Sequence, residues 1–117
     1  MKPTPSAIAR FERVLPADVR AEPRKMFGHP GAFVAGHMFF GTFNDQLVFR
    51  ISGAEADAAR AAGAEPFAPM EGRVWKDYVA ISSETEVPDV TLIGWAKAAL
   101  ERAAELPPKA AKGKRRG

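Results

Sequence analysis

Between Met26 and Ile51 the chain reads MFGHPGAFVAGHMFFGTFNDQLVFRI, which gathers six of its eight phenylalanines into one stretch. Rings at this density have to be buried, and glycine, asparagine and aspartate interrupt them every few residues, so the burial must be done by short strands. Three apolar runs, Ala32 to Ala35, Met38 to Phe43 and Gln46 to Ile51, are separated by Gly36-His37 and Asn44-Asp45. Two-residue breaks join antiparallel neighbours, and the spacing predicts a three-stranded meander. In the third run Leu47, Phe49 and Ile51 alternate with Gln46, Val48 and Arg50, the period of a sheet with one buried face. The second run is apolar on both sides. Either Phe39 and Phe43, or else Met38 and Phe40, then point away from the main core, and rings so placed mark either a partner surface or a small second hydrophobic cluster.

Around the meander the chain is expected to form helices and one further hairpin. Thr4 can cap a short helix with Pro5 at its first position; Ile8, Phe11 and Leu15 form its apolar face, Arg10, Glu12 and Arg13 face water, and Pro16 ends it. Ala17 to Lys25 reads as a connection, with Val19 as its inward anchor and Pro23 keeping Glu22 extended. Met26-Phe27-Gly28-His29-Pro30-Gly31 reads as a tight turn with Met26 and Phe27 in the core. It is not read as a phosphate loop, because no Lys-Ser/Thr pair follows and the next segment is strand-like.

Ser52 and Glu55 have the spacing of a capping box, Gly63 sits where a helix often ends in a left-handed residue, and alanines 54, 58, 61 and 62 allow the helix between them to lie close to the sheet. Pro66 to Met70, a Glu71-Gly72 turn and Arg73 to Ile81 read as a hairpin with a short edge arm. In strand periodicity its longer arm places Val74, Lys76, Tyr78 and Ala80 on one face and Trp75, Asp77, Val79 and Ile81 on the other. Ser82 to Pro88 is a polar loop. Asp89 to Leu106 carries the clearest helical pattern, through Leu92, Trp95, Ala96, Ala99, Leu100 and Ala103, and Pro107-Pro108 stops it.

Charge divides the chain unevenly. Residues 109 to 117 carry Lys109, Lys112, Lys114, Arg115 and Arg116 with no acid, whereas residues 1 to 108 hold 12 basic against 14 acidic side chains and are mildly acidic. A single α+β domain over residues 1–108 followed by a flexible basic tail at 109–117 is therefore expected. With 46% hydrophobic and 26% charged residues the composition is that of an ordinary folded domain. The absence of cysteine excludes disulfides, thiolate metal sites and a cysteine nucleophile. The sequence shows no signal-peptide pattern and no run approaching the ~20 apolar residues of a membrane span, which points to a cytoplasmic protein with no membrane contact.

Groups suited to catalysis are sparse in the sequence. His29 and His37 lie in turn regions flanking the first run, and two histidines do not make a metal site without further ligands at a matching spacing. Lys76 two positions from Tyr78 is better read as a lysine lying along an aromatic ring than as an acid/base couple. No metal, cofactor, small-molecule substrate or catalytic residue is expected, and the chain is not expected to be an enzyme.

The order Arg24-Lys25-Met26-Phe27-Gly28, then Ala32-Phe33-Val34 with Gly36-His37-Met38-Phe39, then Asp45-Gln46-Leu47-Val48-Phe49-Arg50-Ile51, resembles the amino-terminal domain of the TfoX family of competence regulators. Pro66-Phe67, Gly72-Arg73, Lys76-Asp77-Tyr78-Val79, Trp95 and Leu106-Pro107-Pro108-Lys109 likewise look like its standalone members. The resemblance implies an α+β domain of order α-β-β-β-α-β-β-α, with an antiparallel sheet and helices mainly on one face, similar to the secretion-chaperone architecture. It implies no catalytic residue.

Two functions fit these sequence features. The first is a small regulatory or adaptor domain that binds a partner protein or itself as a homodimer, through a sheet face bearing Phe39, Phe43, Val48 and Trp75. The second is weak, non-specific nucleic-acid binding through Lys109, Lys112, Lys114, Arg115 and Arg116, whose cations could neutralise up to about five phosphates. An enzyme assembled from distant residues is a third reading, which a deep pocket lined by His29, His37, Lys76 or Tyr78 would favour.

Overall fold

The computed structural model describes residues 3–26 and 28–107. Nine elements follow in order: α1 (Pro5–Val14), β1 (Glu22–Met26), β2 (His29–Val34), β3 (His37–Phe43), β4 (Gln46–Phe49), α2 (Gly53–Ala61), β5 (Glu65–Pro66), β6 (Val79–Ser82) and α3 (Asp89–Ala104). The strands form one antiparallel sheet of order β1-β2-β3-β4-β6-β5. This is the expected α+β architecture with its meander at the centre and one addition. The stretch around Pro23, expected as a connection, is an edge strand pairing Glu22 with Phe33 and Met26 with His29.

The edge is legible in its prolines. Pro23 faces Ala32 and Lys25 faces Pro30 across the ladder. Proline cannot donate, so these are the pairs that do not exchange hydrogen bonds, and the backbone groups of residues 23 and 25 are the ones turned outward. The outer edge of β1 thus offers one amide, that of Lys25, and resists extension by another strand.

Cross-strand partners share a face, which separates the sheet into two sides. Pro23, Ala32, Phe40, Phe49 and Val79 form one row beneath the helices, and Arg24, Gly31, Gly41, Val48 and Ala80 form the next row on the opposite side. Between Ala32 and Phe33 the register shifts: Phe40 pairs with Ala32 and Met38 with Phe33, leaving Phe39 as an extra residue on β3. The extra residue breaks the strict alternation, so Phe39 and Phe40 both enter the main core while Met38 and Phe43 point to the other side. Neither pairing read from the sequence, Phe39 with Phe43 or Met38 with Phe40, describes this strand. The turn at Asn44-Asp45 sits where expected and the one before β3 is Ala35-Gly36, one residue ahead of the expected Gly36-His37, with positive φ at Ala35 (52°), Gly36 (86°) and Asn44 (55°).

The main core joins all three helices to one face of the sheet. Phe40 stacks between Phe11 of α1 at 4.8 Å and Phe49 at 4.9 Å, and Trp95 of α3 meets Phe49 edge-on at 5.5 Å. Thr4 caps α1 through Ala7 N–H at 3.1 Å, with Pro5 at the first position. The capping box at α2 does not form, since the Ser52 side chain makes no cap hydrogen bond and Glu55 instead pairs with Arg102 of α3 at 3.0 Å. On α2 it is Ala56 and Ala59 that are buried, not the alanines at 54, 58, 61 and 62.

Two charged residues correct the reading of α1 and its exit. Arg10, expected in water, is buried: Nε donates to Asp89 Oδ1 at 2.5 Å, Nη1 to the carbonyls of Ser83 at 3.1 Å and Thr85 at 2.9 Å, and Nη2 to that of Val87 at 2.5 Å. One guanidinium therefore pins the whole polar loop before α3 to α1, because its donors form a planar fork that several acceptors can share. Val19, expected to point inward, is fully exposed. The segment is held by polar contacts: Arg20 bonds Asp18 at 2.9 Å and Glu101 of α3 at 2.6 Å.

Candidate protein interface

The side of the sheet away from the helices is where the candidate residues were expected. A second, smaller cluster covers it, made of Met38, Val48, Phe67 and Ala80, with Phe33, Phe43, Trp75 and Tyr78 partly buried around them. Its roof is the segment between β5 and β6. Only Val79–Ser82 of the long arm expected from residue 73 onward is strand, because Asp77 takes a positive φ of 68° and breaks the extended run. That break also changes sides. Trp75, expected with Val79 and Ile81, lies with Ala80 in the second cluster, between Phe67 at 5.2 Å and Tyr78 at 5.5 Å.

Hydrogen bonds hold the roof in place. Trp75 N–H donates to Phe67 O at 2.8 Å, Phe67 N–H to Tyr78 O at 3.2 Å, and Arg73 N–H to Met70 O at 2.9 Å across the Glu71-Gly72 turn. The Tyr78 hydroxyl donates to Met38 O at 2.9 Å and accepts from Arg50 Nη1 at 2.9 Å. Tyr78 is thus a strut between roof and sheet and forms no couple with Lys76, which is exposed. Beneath the roof the facing glycines 31 and 41 leave room for the Met38 side chain, whose sulfur lies 3.5 and 3.2 Å from where their Cβ atoms would be.

The four candidate interface residues divide. Phe39 is entirely buried in the main core because of the extra residue on β3, and Val48 is buried beneath Phe67, so neither offers surface to a partner of the folded domain. Phe43 and Trp75 remain partly exposed. Phe43 stacks on buried His29 at 4.9 Å and meets Phe67 edge-on at 5.4 Å. Together with Pro69, Met70 and Arg73 they line an apolar groove of about 260 Å³. Met70 and Val74 on the roof are 62% and 63% exposed, among the few large apolar side chains left in solvent. Both escaped the sequence reading, which placed them in hairpin strands; the proline at 69 and the Glu-Gly turn were the signal that this segment is a loop.

The remaining candidates are scattered. His29 belongs to the second cluster, whereas His37 Nε2 contacts Pro107 O at 2.8 Å beyond α3. Lys76 and Tyr78 line a cleft of about 200 Å³ with Ile51, Ser52 and Arg60, and neither histidine reaches it. Among the described residues no group of three or more His, Asp or Glu side chains could hold a metal ion, and no helix is long and apolar enough to cross a membrane. Lys109, Lys112, Lys114, Arg115 and Arg116 lie outside the described residues.

Carboxylates beside guanidinium groups bind their protons weakly. Hydrogen bonds from Arg20 hold Asp18 down to about 2. Arg13 and then Arg10 lower Asp89, and Arg20 lowers Glu101. All three serve the helical side of the molecule, and the roof carries no comparable network among the described residues.

The curated proteins contain no match to this chain. The TfoX N-terminal domain matches residues 17–103, which span the sheet, the roof and nearly all of α3. The chain belongs to the TfoX N-terminal domain family and is, in that general sense, a regulatory domain.

Proposed function

We propose that this protein is a small regulatory domain of the cytoplasm that acts by binding another protein, through the roofed side of its sheet. The observation that carries the reading is the exposure of Met70 beside the partly buried rings of Phe43 and Trp75 in one groove, on the side of the sheet away from the helices. Apolar side chains grouped over aromatic ones, on a segment cross-braced to the sheet, give a surface that needs little reordering on binding. The opposite side gives less support, since the large apolar residues of the sheet there pack three helices and the exposed Val19 and Val90 line no groove with an aromatic ring among the described residues. The outer edge of β1, with its single outward amide, gives no support to assembly by strand addition.

A photo-cross-linking residue placed at 70 in living cells tests this, with the same residue at Lys97, an exposed position of α3, as control. The expected result is a discrete adduct with one protein from position 70 and none from 97. No adduct from 70, or equal adducts from both positions, would remove the reading.

A further inference from the structure

Building on the protein-binding reading, we infer that the groove between Phe43, Pro69, Met70, Arg73 and Trp75 takes a large apolar side chain from a partner segment that carries a carboxylate next to it. Size argues the first half. At about 260 Å³ the groove admits one side chain of the leucine or phenylalanine class and cannot seat a helix along its length. Its walls are the Phe43 and Trp75 rings, proline 69 and the Met70 thioether, the last an unbranched group that adapts to differently shaped partners.

Charge argues the second half. Arg73 is the only charged group lining the groove, and among the described residues it enters no ion pair, whereas Arg10, Arg13, Arg20, Arg24, Arg60 and Arg102 all do. An exposed guanidinium at the mouth of an apolar hole favours a carboxylate that arrives with the apolar group and disfavours a cation. Glu71 and Asp77, on the same roof, do not line the groove. The partner is therefore recognised as a short acidic-apolar segment, with the apolar group supplying contact area and the carboxylate orientation.

Selection of random 12-residue peptides on the folded chain tests this directly. Enriched peptides are expected to pair Leu, Phe, Ile, Met or Trp with an adjacent Asp or Glu, to bind Met70→Glu at least tenfold more weakly, and to exchange their acids for Lys or Arg when selected on Arg73→Glu. Both substitutions sit at exposed positions, and circular dichroism spectra matching the parent's are the expected control for an unchanged fold. Peptides with no acidic preference, or indifferent to Arg73→Glu, overturn the inference. If position 70 cross-links in cells but the selected peptides ignore the groove, the partner chemistry is wrong while the protein-binding reading stands. A light-scattering mass of two chains that falls to one in Met70→Glu would make the occupant a second copy, and that also overturns it.

Discussion

Replacing Arg10 by methionine keeps much of the aliphatic stem and removes every donor that ties α1 to the loop before α3. The bond to Ser83 O is wholly buried, and those to Thr85 O and Val87 O are partly so. A buried bond from a charged donor contributes about 2 kcal/mol, and each partly buried one about 0.5–1, since those carbonyls can turn to water. The expected loss is about 3–4 kcal/mol, with nothing credited to the bond to Asp89, whose carboxylate is partly exposed. Arg10→Lys keeps the charge, but one ammonium cannot meet carbonyl acceptors spread from Ser83 to Val87, so it should lose about 2 kcal/mol. Urea denaturation followed by tryptophan fluorescence reads both, the midpoint moving at unchanged slope. Amide exchange should accelerate first at residues 83 to 88. An Arg10→Met protein within about 0.5 kcal/mol of the parent would show that the guanidinium merely rests on that loop and does not organise it.

Other consequences follow from the same geometry. Phe40→Ala empties the centre of the Phe11–Phe40–Phe49 stack and should cost about 3–5 kcal/mol by the same urea assay, and a loss under 1 would contradict the stack's central place. Ala35 holds a φ of 52°, which asparagine tolerates better, so Ala35→Asn should gain about 0.5–1 kcal/mol; an unchanged midpoint would deny that strain. Asp18, Asp89 and Glu101 all have depressed folded-state values, so their contribution is complete above the ordinary carboxylate range and is lost as pH falls through the folded values. Thermal stability should accordingly fall between about pH 4 and pH 2, and Asp18→Asn should flatten the lower part of that fall, where Asp18 itself titrates at about 2. A profile identical in Asp18→Asn would contradict the assignment.

Much of the fold can be read from the chain because its signals are local. Thr4-Pro5, the breaks at Asn44-Asp45 and near Gly36, and the period of α3 each act within a few residues, and each sits within two residues of where the sequence puts it. What escaped depends on distant partners. The extra residue at Phe39 is a relation between β2 and β3 and has no mark within β3 itself. Arg10 looks like a solvent-facing helix residue, and only its bonds to acceptors more than 70 positions away reveal otherwise. Trp75 changed sides because the left-handed residue at Asp77 ends the alternation that strand periodicity assumes. Of the candidate surface, Phe43 comes from the phenylalanine-dense stretch, whereas Trp75 was assigned from a strand alternation that the segment does not keep. Met70, Val74 and Arg73 were missed because a proline-bounded loop passed for a strand.

The central claim is that a partner protein docks on the roof rather than on the helices. Its most direct test is amide hydrogen exchange of the chain, free and bound to the protein captured from position 70. The account predicts slowed exchange confined to residues 67–78 and the adjoining β3–β4 turn, with α1 and α3 unchanged. Slowing centred on α1 and α3, or none on the roof, would contradict it.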